Sequence, residues 1–211
     1  MSSYPSWFPH WSAGTRNRLY PLYSLLLLAP IVANAHETHA RGNGFMIGIS
    51  HPVLGLDHLL AMIAVGVVSA MMGGTAIWMI PLIFVTNMLI GSILGGYAIP
   101  LPGIEYGIVF SVIALGAVLA IDKQVPKTII MLLVGYFGVM HGYARGSEMP
   151  EMTNLLFYGA GFVMGTVGLH LSGVLIGVGA NKVPRGGEIL RVTGGAAGCV
   201  GLFLLANMLS A

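Results

Sequence analysis

Long apolar stretches separated by short polar breaks make up most of the chain after residue 43. Six stretches can be marked off by prolines and charged residues, at about 44–70, 75–98, 104–121, 127–143, 153–180 and 189–210. A transmembrane helix needs about 20 mostly apolar residues, so each stretch is long enough to span a bilayer, although the fourth is near the lower limit. The pattern predicts an all-α fold: a polytopic membrane helix bundle with six transmembrane helices.

A shorter apolar run near the start of the chain has the features of a cleaved export signal. Arg16 and Arg18 precede an apolar run over 19–32, and Ala-Asn-Ala at 33–35 supplies a small-x-small cleavage pattern. The alternative is an uncleaved transmembrane helix, for which this run is short. The predicted division of the chain is a signal peptide at 1–35 and a six-helix transmembrane domain at 36–211.

Composition agrees with a membrane protein, because 211 residues with 56% hydrophobic and 8% charged residues leave too little polar surface for a water-soluble globule. Many of the 31 glycines lie inside the apolar stretches, where small residues let helices approach closely. Three pairs have the four-residue spacing of close helix contacts: Gly91/Gly95, Gly161/Gly165 and Gly173/Gly177. These small-residue faces also allow a homo-oligomer. Cys199 is the only cysteine, so an intrachain disulfide and a cysteine-based metal site are both excluded.

The basic residues predict how the chain is oriented. With the exported N-terminus outside, the inner loops would carry Lys123, Lys127, Lys182, Arg185 and Arg191, and the outer side only Arg41 and Arg145. This bias follows the positive-inside rule and places both mature termini outside the cytoplasm. The net charge of +2 and the absence of a basic run give no indication of a nucleic-acid partner.

The first apolar stretch contains three ionisable residues, His51, Asp57 and His58. A charge at the membrane centre costs about 2.5–3.5 kcal/mol or more, unless the group faces the bundle interior and finds a partner. Two imidazoles and a carboxylate suit a divalent first-row metal such as Ni²⁺, Co²⁺ or Zn²⁺. The alternative is that these side chains only form hydrogen bonds between helices.

Spacing predicts how these groups lie on a continuous helix. His51 and His58 are seven residues apart and would share a face, with Gly55 between them and Met62 one turn further along. Pro52 cannot donate its backbone nitrogen, so we expect a kink there that frees a carbonyl to help strip water from an ion.

The string HPVLGLDHLLAMIAVG at residues 51–66 resembles the signature of the HupE/UreJ family of nickel permeases, which are found beside hydrogenase and urease systems. The signal peptide, a histidine at the mature N-terminus and six spans also match, so the resemblance covers essentially the whole mature chain. It implies secondary transport of Ni²⁺ or Co²⁺ inward across a bacterial inner membrane, with the ion as substrate, no permanently bound cofactor and no enzymatic activity. It also implies that His51, Asp57 and His58 lie on the ion path.

A second family pattern, His-Gly-x-Ala-His-Gly-x-Glu, corresponds to residues 141–148 here. His141 and Glu148 match, and the resemblance assigns both to the metal path. Arg145 stands where the family has its second histidine, and an arginine has no lone pair to offer a metal. We expect Arg145 to pair with Glu148 or Glu151. The alternative is an ordinary solvated outer loop.

Four further residues are weaker candidates. Glu105 opens the third stretch, where the resemblance implies an acidic residue that attracts the ion; the helix dipole alone would also favour it there. His36 and His39 could capture metal at the exported N-terminus, or belong to a disordered terminus. His170, in the fifth stretch, is explained most simply as a hydrogen-bonded core histidine.

Two other functions have to be weighed against transport. A non-transporting membrane accessory subunit would need only the packing glycines, and Arg145 favours it. An intramembrane metal-dependent hydrolase would need a substrate cleft and a separate acid–base group, for which Glu148 is poorly placed. The sequence has no glycine-rich phosphate loop, but a membrane potential alone draws a divalent cation inward by about 4.6 kcal/mol per 100 mV.

Overall fold

The computed structural model describes residues 44–121, 125–149 and 154–210, without the side chain of Leu155. These ranges form seven α-helices and no strand, which confirms the all-α class. The helices are α1 (Gly44–Leu54), α2 (Leu56–Met72), α3 (Ala76–Gly96), α4 (Ile104–Ala120), α5 (Lys127–Ser147), α6 (Leu155–Ala180) and α7 (Gly186–Ser210). The predicted signal peptide, His36, His39, Arg41, Lys123 and Glu151 lie outside the described residues.

Four of the described helices, α3, α5, α6 and α7, are long and apolar enough to cross a membrane. Helices α1 and α2 meet the same condition only together, as one segment bent by 82°, and α4 is a shorter apolar helix of 17 residues. Large apolar side chains such as Leu82, Leu132 and Leu175 are exposed on the outer surface of the bundle, as expected for a surface in contact with lipid. The six spans remain a prediction.

The prediction of one continuous first helix is wrong, because the chain breaks at Gly55. Gly55 has an extended backbone (φ −92°, ψ 120°), so helix geometry stops after Leu54 and begins again at Leu56. Pro52 lies inside α1 and does not mark the bend. The break leaves the last carbonyls of α1 without helical partners, which makes this end favourable for a cation.

The predicted glycine pairs lie at close contacts between helices, as expected. Gly91 packs against Val139 of α5 and Gly95 packs against Tyr143, so residue numbers rise together and α3 is parallel to α5. The other two pairs bring α6 against the broken segment in the same sense, Gly161 and Gly165 beside α1 and Gly173 and Gly177 beside α2. A methyl group at most of these glycines would meet backbone atoms of the neighbouring helix.

Helices α4 and α7 pack in opposite directions. Gly201 lies against Ile113, whereas Gly194 lies against Leu119, so residue numbers fall on one helix as they rise on the other. Helix α3 is thus parallel to α5, α2 is parallel to α6, and α4 is antiparallel to α7. These directions are the ones expected if the chain reverses direction at every connection from α2 to α7. Such alternation is what successive membrane crossings would produce.

Because successive helices alternate in direction, the charged residues fall into two groups at opposite ends of the bundle. Lys127, Lys182, Arg185 and Arg191 lie near one end of the bundle, while Glu105, Arg145 and Glu148 lie near the other. Arg185 pairs with Glu188 at 3.0 Å at the first of these ends. The end that carries Glu148 is also the end at which α1 and α2 meet, so the ionisable residues of the first helix and of α5 come together there.

Candidate metal site

Three residues form a charged cluster at the end of α5: His51, Arg145 and Glu148. Arg145 Nη1 lies 2.7 Å from His51 Nε2 and 2.6 Å from Glu148 Oε2. Helix α5 continues to Ser147, and the Arg145 side chain is only 15% exposed, so the alternative of an ordinary solvated loop is wrong for this run. The predicted pairing of Arg145 with Glu148 is confirmed.

Arg145 determines the hydrogen-bonding role of His51 Nε2. A guanidinium only donates, so His51 presents its Nε2 lone pair to Arg145. The same nitrogen lies 3.5 Å from Glu148 Oε2, a contact that would need an N–H instead. The ring can satisfy one partner at a time, and the shorter contact is with Arg145.

Glu148 keeps its charge in this cluster. The neighbouring His51 ring and the guanidinium of Arg145 lower the pKa of the Glu148 carboxyl, while partial burial acts in the opposite direction. Stability from such a carboxylate is present above its unfolded pKa and is lost only as the pH falls through the lowered folded value. Glu148 is therefore a fixed negative charge at neutral pH.

The Arg145 guanidinium also reaches the break between α1 and α2. A methyl group at Gly55 would lie 2.9 Å from Arg145 Nη2 and 3.0 Å from Asp57 Oδ1. Asp57 Oδ1 accepts the backbone N–H of His58 at 2.7 Å in the first turn of α2. A cation from the protein itself thus occupies the space beside the end of α1, where carbonyls and carboxylates favour positive charge.

Deeper in the bundle, a histidine cluster consists of His58, His141 and Ser111. Their side chains come from α2, α5 and α4 and are at most 1% exposed. His58 Nδ1 lies 2.8 Å from His141 Nδ1, and His141 Nε2 lies 2.8 Å from Ser111 Oγ. Two imidazoles predicted from separate motifs are therefore in direct contact.

Hydrogen bonds assign the tautomers of this cluster. Ser111 Oγ lies 2.6 Å from the carbonyl oxygen of Ile108, a separation that requires a hydrogen between the two oxygens, so Ser111 donates to Ile108. His141 then donates from Nε2 to Ser111 and accepts at Nδ1, which makes His58 the donor at Nδ1. The remaining nitrogen of His58, Nε2, is a buried lone pair with no hydrogen-bond partner among the described residues.

His170 lies on α6, one layer further from the charged cluster. Its Nδ1 lies 2.9 Å from the backbone oxygen of Met62, so the expected hydrogen-bonded core position is confirmed. The Phe84 ring neighbours both His170 and His141, with centroid-to-centroid distances of 5.1 Å and 5.8 Å.

One face of α2 connects these groups. Gly55 lies beside Arg145, His58 contacts His141, and the carbonyl of Met62 binds His170. The predicted stripe therefore holds from Gly55 to Met62. It does not extend to His51 along a straight helix, because the 82° bend intervenes; His51 joins the site through Arg145 instead.

Glu105 is a predicted site residue for which the structure shows no contact with the charged cluster or the buried histidines. It lies in the first turn of α4, where it is exposed and forms no ion pair within the described ranges. The described residues also contain no group of three or more His, Cys, Asp or Glu side chains placed to hold a metal ion together. The candidate ligands are arranged in succession along α2.

Sequence reasoning missed Ser111, Phe84 and Phe162, which surround the imidazoles. Phe162 lies 5.7 Å from the His58 ring, centroid to centroid. Ser111 could have been noticed as a hydroxyl on the face of α4 that also carries buried glycines, but its partner lies 30 residues away on another helix. Aromatic residues in an apolar stretch carry no comparable signal.

Comparisons with known proteins agree with the motif at residues 51–66. The family model described as HupE / UreJ protein matches residues 24–204. The chain belongs to the HupE/UreJ family. Protein HupE from Rhizobium leguminosarum bv. viciae is 38% identical over 180 residues, which cover 85% of this chain and 93% of that relative. No solved structure matches. Family membership and the apolar helices together identify a membrane protein.

Proposed function

We propose that this protein is a secondary transporter that carries Ni²⁺, with Co²⁺ as the alternative cargo, inward across the bacterial inner membrane. In this role it would supply urease or hydrogenase maturation. The observation that carries the proposal is a succession of imidazoles from three helices. It runs from His51 of α1, beside the helix break, to the buried pair of His58 on α2 and His141 on α5. Membership of the HupE/UreJ family supports it.

The chemistry of the path changes with depth in a way that suits a divalent transition metal. Carboxylates of Glu148 and Asp57 and the carbonyl end of α1 attract a hydrated cation of any kind. Neutral imidazole nitrogens then favour first-row metals such as Ni²⁺ over Mg²⁺ or Ca²⁺, which prefer oxygen. Selection therefore takes place at His58, whose Nε2 lone pair is unshared and whose ring is held in position by His141, after the ion has lost water.

Arg145 acts at the entrance as a competing cation. It occupies the lone pair of His51 and the carboxylate of Glu148, two groups that could otherwise contact the ion. An entering ion has to displace the guanidinium or pass beside it. We therefore expect weaker capture at low metal concentration than a histidine at this position would give.

A non-transporting accessory subunit is the second candidate, and the filled charged cluster is the observation that favours it. The buried imidazoles favour transport, because a purely structural bundle gains nothing from a ring nitrogen that forms no hydrogen bond. The two functions differ in one direct property, which is uptake of metal by the purified chain.

Uptake of radioactive nickel into proteoliposomes that contain the full chain tests the proposal. We expect saturable uptake under an inside-negative potential, competition by Co²⁺, and a loss of at least tenfold in His58→Asn. Asparagine keeps a donor near the position of Nδ1 and removes the Nε2 lone pair. Ser69→Ala is the matched control, since Ser69 is equally buried on α2 and bonds only within its own helix. Uptake no faster than in empty vesicles would support the accessory subunit.

Orientation can be tested separately by cysteine labelling. Cys199 is exposed, so a Cys199→Ala background is needed. In intact cells, Ser147→Cys should react with an impermeant reagent, whereas Lys182→Cys at the other end should be protected; both positions are exposed. Reversed labelling would place the charged cluster on the cytoplasmic side and exclude it as the entrance for uptake.

A further inference from the structure

Two buried ring nitrogens form no hydrogen bond within the part of the chain that the structure describes. Nε2 of His58 and Nε2 of His170 are shielded from solvent and have no hydrogen-bond partner among the described residues. Native proteins satisfy most buried polar atoms, so each exception calls for an explanation. His58 belongs to the motif already assigned to the ion path. His170 lies on α6, 112 positions later in the sequence, and is 1% exposed.

The single hydrogen bond of His170 determines which nitrogen stays available. A carbonyl oxygen can only accept, so His170 donates from Nδ1 to Met62. In a neutral imidazole the other nitrogen, Nε2, then carries an unshared lone pair. Metal-binding histidines commonly donate their second nitrogen to a backbone carbonyl, which fixes the tautomer and orients the ring. His170 has this arrangement.

His170 also continues the line of groups along α2. Met62 lies one helical turn beyond His58, so the bond to its carbonyl places His170 one turn further from the charged cluster. Phe84 contacts both His141 and His170, so the two imidazoles lie around one aromatic side chain.

Neutral residues occupy the part of the core that contains His170. Thr166, one turn earlier on α6, donates to the sulfur of Met88 at 3.7 Å, and Met62 and Met88 are fully buried. Imidazole and thioether groups favour late first-row metals over Mg²⁺ and Ca²⁺. The chemistry fits the same class of ion that His58 would select.

We propose that His170 Nε2 is an inner binding station for a divalent transition metal, reached after His58 and His141. The identity of the cargo rests on the proposed function. Passage through a membrane protein needs several sites that bind strongly enough to admit the ion and weakly enough to release it. A lone neutral nitrogen deep in the bundle meets this requirement.

A thiolate placed at this position reports directly on the ion. In purified full chain with a Cys199→Ala background, His170→Cys should give a thiolate-to-metal charge-transfer band when Co²⁺ is added. Coordination deprotonates the thiol, so the band appears only if the ion reaches position 170. Ser172→Cys is the matched control, because Ser172 is exposed on the same helix and should give no band. The absence of a band in a His170→Cys variant with native helical content overturns the proposal.

A second variant tests the site without a thiol. His170→Asn keeps a donor for the carbonyl of Met62 and removes the lone pair, and we expect its maximal rate of nickel uptake to fall several-fold. Unchanged uptake by a folded His170→Asn protein overturns the proposal. The two hypotheses fail separately: a native chain that transports no nickel contradicts the proposed function, whereas the Co²⁺ band does not depend on transport.

Discussion

The charged cluster and the buried histidines are two sites that both contain histidine, and they differ in whether the Nε2 lone pair of the imidazole has a hydrogen-bond partner. In the charged cluster, the Nε2 lone pair of His51 is taken by the guanidinium of Arg145. In the bundle core, Nε2 of His58 and of His170 is left without a partner among the described residues. A histidine is available to a metal only where the fold leaves a lone pair unshared. We therefore propose that the outer residues regulate entry of the ion and that the inner residues bind it once it has lost water.

The largest effect is expected at the inner site. His141→Ala removes the acceptor of His58 Nδ1 and the donor to Ser111, which leaves buried groups unpaired at about 1–3 kcal/mol each. Uptake of radioactive nickel in proteoliposomes should fall at least tenfold at every nickel concentration. Protein that is extracted and reconstituted in native amounts yet transports at the native rate would remove His141 from the path.

A smaller effect, of opposite sign, is expected at the entrance. Arg145→His frees His51 and Glu148 and supplies a further lone pair, so the nickel concentration for half-maximal uptake should fall about threefold to tenfold. Two unit charges 4 Å apart near a protein surface interact by about 4 kcal/mol, and the existing pair with Glu148 offsets much of this. Arg145→Lys keeps the charge and should change the half-maximal concentration much less. Equal values in all three proteins would place Arg145 off the path.

The smallest effect is expected at Glu148, whose side chain is 50% exposed. Glu148→Gln should raise the half-maximal nickel concentration about twofold to threefold at low salt. The difference should shrink at 0.15 M salt, where charges more than about 8 Å apart are screened. A change that is independent of salt would mean that Glu148 contacts the ion directly instead of attracting it from a distance.

The fold could be predicted from the sequence where long apolar periodicity and glycine spacing determine it. Helices α3 to α7 lie within a few residues of the predicted stretches, and Gly91 and Gly95 lie at a close helix contact as expected. The helix break at Gly55 could not be predicted from apolar periodicity or glycine spacing. Apolar residues continue through it, and Pro52 was the stronger helix-breaking signal. Whether a glycine ends a helix depends on tertiary contacts, and Gly55 lies beside the Arg145 guanidinium of α5.

The candidate site was predicted as a list of residues but not as a geometry. The motifs named His58 and His141, yet their contact depends on how α2 and α5 pack, which local sequence does not encode. His170 could be predicted as hydrogen bonded, whereas its partner, the carbonyl of Met62, carries no sequence signal. The tautomer of each histidine follows from its hydrogen-bond partners. Which ring nitrogens keep an unshared lone pair can therefore be seen only in the three-dimensional structure.

The most direct test of this distinction compares saturation curves of nickel uptake for Arg145→His and His58→Asn in the same proteoliposome preparation. We expect Arg145→His to lower the half-maximal concentration with little change in maximal rate. We expect His58→Asn to lower the maximal rate at least tenfold, and more nickel should not restore it. A His58→Asn protein that reaches the native rate at high nickel, or an Arg145→His protein changed only in maximal rate, would contradict the division between an entrance and a buried binding path.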